Sequence, residues 1–150
     1  MSRRAKVLRK LQGISYWVIE APSDIAELVN TNIRREWEAD IAEQEDHEEG
    51  RWLASLRKRK WELKMMKLNE IKLSDETMNS RNEKTGYDFR KRLEERVRLL
   101  ERDIDRFGSV IRPLVVRAED GQLMDGYCRY HTLKERGVTK TFAYVGGLRP

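Results

Sequence analysis

Two stretches of the chain repeat apolar residues at spacings of three and four, the periodicity of a helix with one buried face. The first opens at Pro22, with Ser23 as a suitable N-cap, and the second closes at Gly108, a residue type favoured just after a helix. The apolar positions of the first helix are Ile25, Leu28, Val29, Ile33, Trp37 and Ile41. Those of the second are Phe89, Leu93, Val97, Leu100, Ile104 and Phe107. Each helix should therefore pack one side against another part of the protein.

Shorter apolar runs, rich in β-branched and aromatic residues, predict strands. These runs are residues 14–20, 63–68, 111–116, 123–124 and 141–145. Residues 1–12 predict a basic tail or a short helix. A further helix is predicted between the turn at Asp125-Gly126 and a C-capping Gly137. From about residue 61 onward the chain therefore alternates strands with helices.

Charge is unevenly distributed around the net value of +5. Residues 21–50 are acidic, and residues 51–67 are basic around the run Arg57, Lys58, Arg59 and Lys60. This run is the candidate contact for nucleic acid. The same charges also suit an internal arrangement, in which residues 23–60 form two helices packed on each other or on the rest of the chain. A third option is that the apolar stripe of the first helix docks a second copy, which makes a homodimer. The second helix would carry Trp52, Leu53 and Leu56.

Several classes of protein are not indicated. The single cysteine, Cys128, excludes an internal disulfide framework and fits a reducing compartment, so we expect a cytoplasmic protein. The two histidines, His47 and His131, are far apart and show no zinc spacing, so no metal site is expected. No apolar run is long enough to span a bilayer, and the N-terminus lacks the apolar segment of a secretory signal.

The turn at Asp125-Gly126 is the strongest candidate for chemistry. A glycine turn that leads into a helix directs several backbone N–H groups at one spot, and the helix dipole adds partial positive charge there. Arg129, in the first turn of that helix, can add a guanidinium to bind phosphate oxygens. The sequence therefore predicts a phosphate-binding site, with an ordinary turn and a solvated arginine as the alternative.

The same residues resemble a known family. The pattern Asp125-Gly126-x-x-Arg129-Tyr130-x-x-Leu133-x-x-x-Gly137, followed by residues 141–145, is similar to the phosphate-binding box of the ParB/sulfiredoxin superfamily. The resemblance covers about residues 62–146. It implies an α+β fold with a small mixed sheet and helices in residues 61–150. The charge and periodicity of residues 1–60 predict an N-terminal basic tail and helical extension before this domain. The resemblance also implies ATP or CTP as ligand, with Mg²⁺ as an accompanying ion. The residues that would hold the nucleotide are Arg81, Gly126, Tyr127, Cys128, Arg129 and His131.

Three branches of this superfamily differ in what they imply. ParB proteins usually have Gly-Glu-Arg-Arg where this chain has Gly126-Tyr-Cys-Arg129, and their DNA-reading helix-turn-helix has no counterpart in these 150 residues. Sulfiredoxin has its reactive cysteine directly after the glycine, where this chain has Tyr127. The archaeal free serine kinases have Asp-Gly-His-His-Arg-Trp, to which residues 125–130 are closer. Their catalytic glutamate corresponds to Glu76, or to Asp75, and Asp125 is a second candidate catalytic carboxylate.

Three functions are consistent with these observations. The first is a ParB-like domain that binds CTP or ATP and thereby regulates association with DNA or a partner. The second is a small-molecule kinase with Glu76 as its base. The third is a structural protein that kept the fold and lost the ligand.

Overall fold

A computed structural model of the chain describes residues 5–37 and 58–148, and for residues 32–37 it describes the backbone alone. Both described parts of the chain contain strands and helices. In chain order the strands and helices are β1 (Lys6–Leu11), β2 (Ile14–Ile19), α1 (Pro22–Trp37), β3 (Arg59–Lys67), a 3₁₀ turn (Leu68–Glu70), α2 (Asp75–Met78), β4 (Arg81–Asn82), β5 (Tyr87–Asp88), α3 (Phe89–Phe107), β6 (Leu114–Arg117), β7 (Leu123–Asp125), α4 (Tyr127–Glu135) and β8 (Lys140–Leu148). Among these helices, none is long and apolar enough to cross a membrane.

A mixed four-stranded sheet in the order β3-β8-β6-β7 forms the centre of the fold. Strand β8 is antiparallel to β3 and parallel to β6, while β7 returns antiparallel along β6. Side chains alternate between the two faces of a strand, and both faces of β6 are covered. Leu114 and Val116 enter one hydrophobic core, whereas Val115 enters another. The predicted α+β class with a small mixed sheet is therefore confirmed.

Helices cover both faces of this sheet. On one face, Leu93 and Val97 of α3 and Leu133 of α4 lie in the larger core. On the other face, Ile25 and Val29 of α1 pack with Trp61, Val115 and Tyr144. The first apolar stripe of the sequence therefore packs on the sheet, through the part of α1 whose side chains are described.

The prediction for residues 1–12 is wrong, and the extension does not begin with a helix. Residues 6–19 form an antiparallel hairpin in which Leu11 pairs with Ile14. Gln12 and Gly13, the two turn residues, both have positive φ, of 49° and 83°. This is the backbone of the two-residue turns that match the twist of a hairpin. Tyr16 is fully buried, so the strand pairing is held in place by the core.

The ends of the helices follow their capping residues. Gly108 ends α3 in the left-handed conformation, with φ of 60°, and Gly137 follows α4 with φ of 76°. The predicted C-cap at Gly108 is therefore confirmed, whereas the C-cap of α4 is Arg136 and Gly137 is the left-handed residue directly after it. At α1 the N–H of Ile25 donates to the carbonyl of Ala21 at 3.0 Å, so Pro22 is the first helical residue rather than a residue before a Ser23 cap.

Other predictions fall outside the described residues. They concern the second helix of the extension, with Trp52, Leu53 and Leu56, and the acidic segment before it. The division at residues 60 and 61 stays a prediction. Strand β3 begins at Arg59, and the hairpin contributes Ile14, Tyr16 and Val18 to the larger core.

Candidate functional site

The turn at Gly126 places the N-terminus of α4 at the carboxyl end of β7. Tyr130 donates its N–H to the carbonyl of Gly126 at 2.8 Å, which is the first hydrogen bond of the helix. The N–H groups of residues 127–129 therefore lie at the positive end of the helix dipole. Gly126, the N-cap residue, has no side chain with which to cap this end of the helix. The helix thus has the backbone geometry that favours an anion at its N-terminus.

Gly126 is required at this turn for two reasons. Its φ of 105° lies in the left-handed region, which residues with a Cβ rarely adopt. A Cβ at this position would also lie 2.7 Å from Cδ2 of Leu114 and 3.0 Å from Nη2 of Arg129. The turn is therefore packed tightly between the buried strand β6 and the guanidinium of Arg129.

Arg129 lies beneath the turn and binds the protein backbone. Its Nη1 donates to the carbonyl oxygens of Arg112 at 2.9 Å and of Pro113 at 2.6 Å. Its Nη2 contacts Oδ2 of Asp125 at 3.2 Å, and the Arg129 side chain is 13% exposed. In this arrangement Arg129 connects the start of α4 to β7 and to the segment before β6. It adds positive charge below the helix end while several of its donors serve the fold.

A cavity of about 500 Å³ opens at this turn. The residues around it include Gly126, Cys128 and Arg129 of the predicted site, together with side chains from α2, β5 and α3. Thr77, Tyr87 and Phe89 are among the residues that line it. Phe89 is held by an edge-to-face contact with the ring of Tyr127, at a centroid distance of 5.4 Å. The cavity therefore combines a polar end at α4 with an aromatic wall.

Three further arginines line this cavity, and they are not among the predicted site residues. Arg92 and Arg96 lie one turn apart on α3, and Arg112 comes from the segment before β6. All three are exposed. Arg92 lies over the ring of Tyr87 at 5.4 Å, and within residues 5–37 and 58–148 none of the three forms an ion pair. The cavity is therefore positively charged. Asp125 is the single carboxylate among the described residues that line it, and one carboxylate does not balance this charge.

The surroundings of Tyr127 and Cys128 favour a structural role for both side chains. The hydroxyl of Tyr127 donates to the carbonyl of Leu123 at 3.2 Å and accepts the N–H of Ser74 at 3.0 Å, which holds the loop before α2 against α4. Cys128 is half-buried, and burial raises the pKa of its thiol. A thiol with a raised pKa is a poor nucleophile at neutral pH.

The other predicted nucleotide and catalytic residues lie around the edge of the site or away from it. Glu76 is exposed on α2 and directly precedes Thr77, which lines the cavity. Arg81 is exposed on β4 and is not among the described residues that line the cavity. His131 lines a different cavity, of about 460 Å³, between α3 and α4, and burial lowers the pKa of its imidazole. The structure therefore brings together Asp125, Gly126, Tyr127, Cys128 and Arg129.

The basic run before β3 divides into exposed and buried residues. Lys58 and Lys60 are exposed, whereas Arg59 is buried and its Nη1 binds Oε1 of Glu119 at 2.6 Å. The same Nη1 donates to the carbonyl of Gly146 at 3.0 Å. The hydrogen bond from Arg59 lowers the pKa of Glu119. Arg59 therefore ties the start of β3 to its neighbours, and Arg57 lies outside the described residues.

Asp125 is the single carboxylate among the described residues that line the cavity. In the part of the chain that the structure describes, no group of three His, Cys, Asp or Glu side chains could hold a metal ion. Asp125 is engaged by Arg129 at 3.2 Å. Mg²⁺ prefers oxygen ligands and often reaches proteins through substrate phosphates rather than through protein side chains alone.

Comparison with known proteins gives a structural similarity only. No family model and no curated protein matches the chain. The structure is similar to two solved structures of a pNOB8-like ParB N-domain, the family that the sequence resembles. The first shares 18% identity over 61% of this chain and 32% of its own, with a TM-score of 0.42. The second shares 20% identity over 61% of this chain and 29% of its own, with a TM-score of 0.39. The chain spans about a third of the length of these structures.

Proposed function

We propose that the cavity at Gly126 binds the phosphates of a nucleoside triphosphate, CTP or ATP, and that its occupancy regulates association with DNA or a protein partner. One observation supports the site above all others. Arg92, Arg96 and Arg112, from two separate parts of the chain, line the same cavity as the N-terminus of α4. A polyphosphate supplies the several negative charges that such a cluster attracts.

The four arginines at this site have different roles. Arg129 shapes the turn through the carbonyls of Arg112 and Pro113, and it adds positive charge below it. Arg92, Arg96 and Arg112 are exposed and form no ion pair with the described residues, so their guanidinium groups are available to a ligand. We therefore assign direct phosphate contacts to these three residues and to the helix N-terminus, with Arg129 as the positioning residue.

Calorimetric titration with CTP and with ATP, each with and without Mg²⁺, tests the proposal. The variant Arg96→Gln removes one charged donor and should weaken binding about 10- to 100-fold, the scale of a hydrogen bond to a charged group. Arg102→Gln is the matched control, because Arg102 is an exposed arginine of the same helix and lies outside the lining of the cavity. It should bind nucleotide as the unmodified protein does.

Two outcomes contradict the proposal. One is the absence of binding by either nucleotide at millimolar concentration, which would favour a fold that has lost its ligand. The other is an equal loss of affinity in Arg96→Gln and Arg102→Gln, because a general effect of charge would then explain the binding. A preference for one nucleotide identifies the base.

A further inference from the structure

The two faces of the β1–β2 hairpin differ in composition. Residues that pair directly across a hairpin project from the same face. On the inner face, Tyr16 and Val18 are buried in the larger core. The pairs of the inner face are Val7 with Val18, Arg9 with Tyr16 and Leu11 with Ile14. The pairs of the outer face are Lys6 with Ile19, Leu8 with Trp17 and Lys10 with Ser15. Ile19 packs with α1, whereas Lys6, Leu8, Lys10 and Trp17 of this outer face are exposed.

An exposed tryptophan occupies the middle of the outer face. Trp17 is 44% exposed, and Leu8 opposite it is 48% exposed. Lys6 and Lys10 are each two residues from Leu8 on β1, so they flank Trp17 diagonally. Such diagonal neighbours are about 7–8 Å apart, within the reach of long side chains. A flat aromatic ring therefore lies between two lysines on one surface.

The lysines of this face have no acidic partner among the described residues. Within the described residues, neither Lys6 nor Lys10 forms an ion pair. Arg9, which lies between them in sequence but on the inner face, is paired with Glu20 at 3.1 Å. Ser15 is the remaining residue of the outer face, and it is uncharged. The outer face is therefore basic and aromatic, without an acidic residue among its strand positions.

We propose that the outer face of the hairpin binds single-stranded nucleic acid, with a base stacked on Trp17 and the flanking phosphates on Lys6 and Lys10. Proteins that bind single strands combine positive charge along the backbone with aromatic rings on which unpaired bases stack. Bases in a duplex are stacked on each other, so their faces are closed to Trp17. This surface shares no residue with the nucleotide cavity, and the proposal does not depend on that site.

Fluorescence anisotropy tests the stacking contact, with a labelled oligothymidine of about 16 nucleotides, a length suited to one binding surface. The full chain should bind it in the absence of any nucleotide, and bind a duplex of the same length more weakly. Trp17→Ala should weaken binding about 10- to 100-fold, and Trp17→Phe, which keeps an aromatic ring, should retain most of the affinity. Circular dichroism checks that each variant is folded.

The salt dependence of binding tests the lysines. For single strands, the slope of log affinity against log salt is about −0.7 for each phosphate neutralised. The double variant Lys6→Ser/Lys10→Ser should therefore reduce the slope by about 1.4 between about 50 and 200 mM salt. Arg9→Ser, on the same strand but on the inner face, is the matched control and should leave the slope nearly unchanged.

Four outcomes overturn the proposal. They are the absence of binding by the unmodified chain, unchanged affinity in Trp17→Ala, an equal change of slope in Arg9→Ser and in the lysine variant, and tighter binding of the duplex than of the single strand. Vesicles that contain phosphatidylserine serve as a further arm. Binding to these vesicles without binding to the oligonucleotide also contradicts a nucleic-acid surface.

Discussion

Substitution of Gly126 by alanine should destabilise the protein by about 2–5 kcal/mol. Two effects add. A residue with a Cβ in the left-handed region costs about 1–2 kcal/mol, and φ of Gly126 is 105°. The new Cβ would lie 2.7 Å from Cδ2 of Leu114, and crowding of a packed core costs about another 1–3 kcal/mol. At about 2–4 °C for each kcal/mol, the melting temperature should fall by about 4–20 °C.

Gly137→Ala is the matched control, because it has only the first of these effects. Gly137 has φ of 76°, and a Cβ there would meet nothing within 4 Å. Its melting temperature should therefore fall by about 2–8 °C. Calorimetric melts of the two variants and the unmodified chain provide the comparison. Equal losses in both variants would refute the tight contact between the turn, Leu114 and Arg129.

Three further predictions concern single side chains. Burial lowers the pKa of the His131 imidazole below its ordinary value of 6.5, so this imidazole binds a proton more tightly in the unfolded chain than in the folded one. Stability should therefore fall as the pH drops through about 6.5. The urea midpoint of the unmodified chain should therefore fall between about pH 8 and pH 5, and the midpoint of His131→Gln should fall less. An equal fall in both proteins would contradict this prediction. The half-buried thiol of Cys128 should react with a thiol probe more slowly than free cysteine, so labelling at the free rate would contradict its raised pKa. Ile25→Ala should cost about 2–5 kcal/mol in chemical denaturation, because Ile25 is fully buried against the sheet, and a cost below about 1 kcal/mol would show that α1 is loosely packed.

The elements with strong periodicity were predictable from the sequence. Helix α3 begins at Phe89 and ends at Phe107, as its apolar stripe and Gly108 indicate. Strand β1 was not predictable in the same way. Arg9 lies opposite the buried Tyr16 and interrupts the alternation of apolar and polar residues along the strand. The turn that follows has Gln12 in place of the usual Asn or Asp. Its pairing with the buried strand β2 makes it a strand, and that is a tertiary effect.

The turn of the candidate site was predictable, but its arginines were not. Gly126 and Arg129 form a recognisable local pattern in the sequence. Arg92 and Arg96 belong to a helix with many charges, and their spacing of four is as typical of a solvated face as of a cavity wall. Arg112 joins them only because β6 lies beside β7 in the sheet. Such a grouping depends on contacts between distant segments, which a single sequence does not contain.

The backbone amide signals of Tyr127, Cys128 and Arg129 report most directly on the proposed phosphate site. We predict that adding CTP or ATP to the labelled protein shifts the NMR signals of these three amides and of the side chain of Arg96. The amides of the hairpin turn at residues 12–13 should stay unchanged. Inorganic tripolyphosphate should reproduce the shifts at the helix end, because the phosphates cause them. Nucleotide-induced shifts confined to residues outside the cavity, or the absence of any shift at millimolar nucleotide, would contradict a phosphate site at the N-terminus of α4.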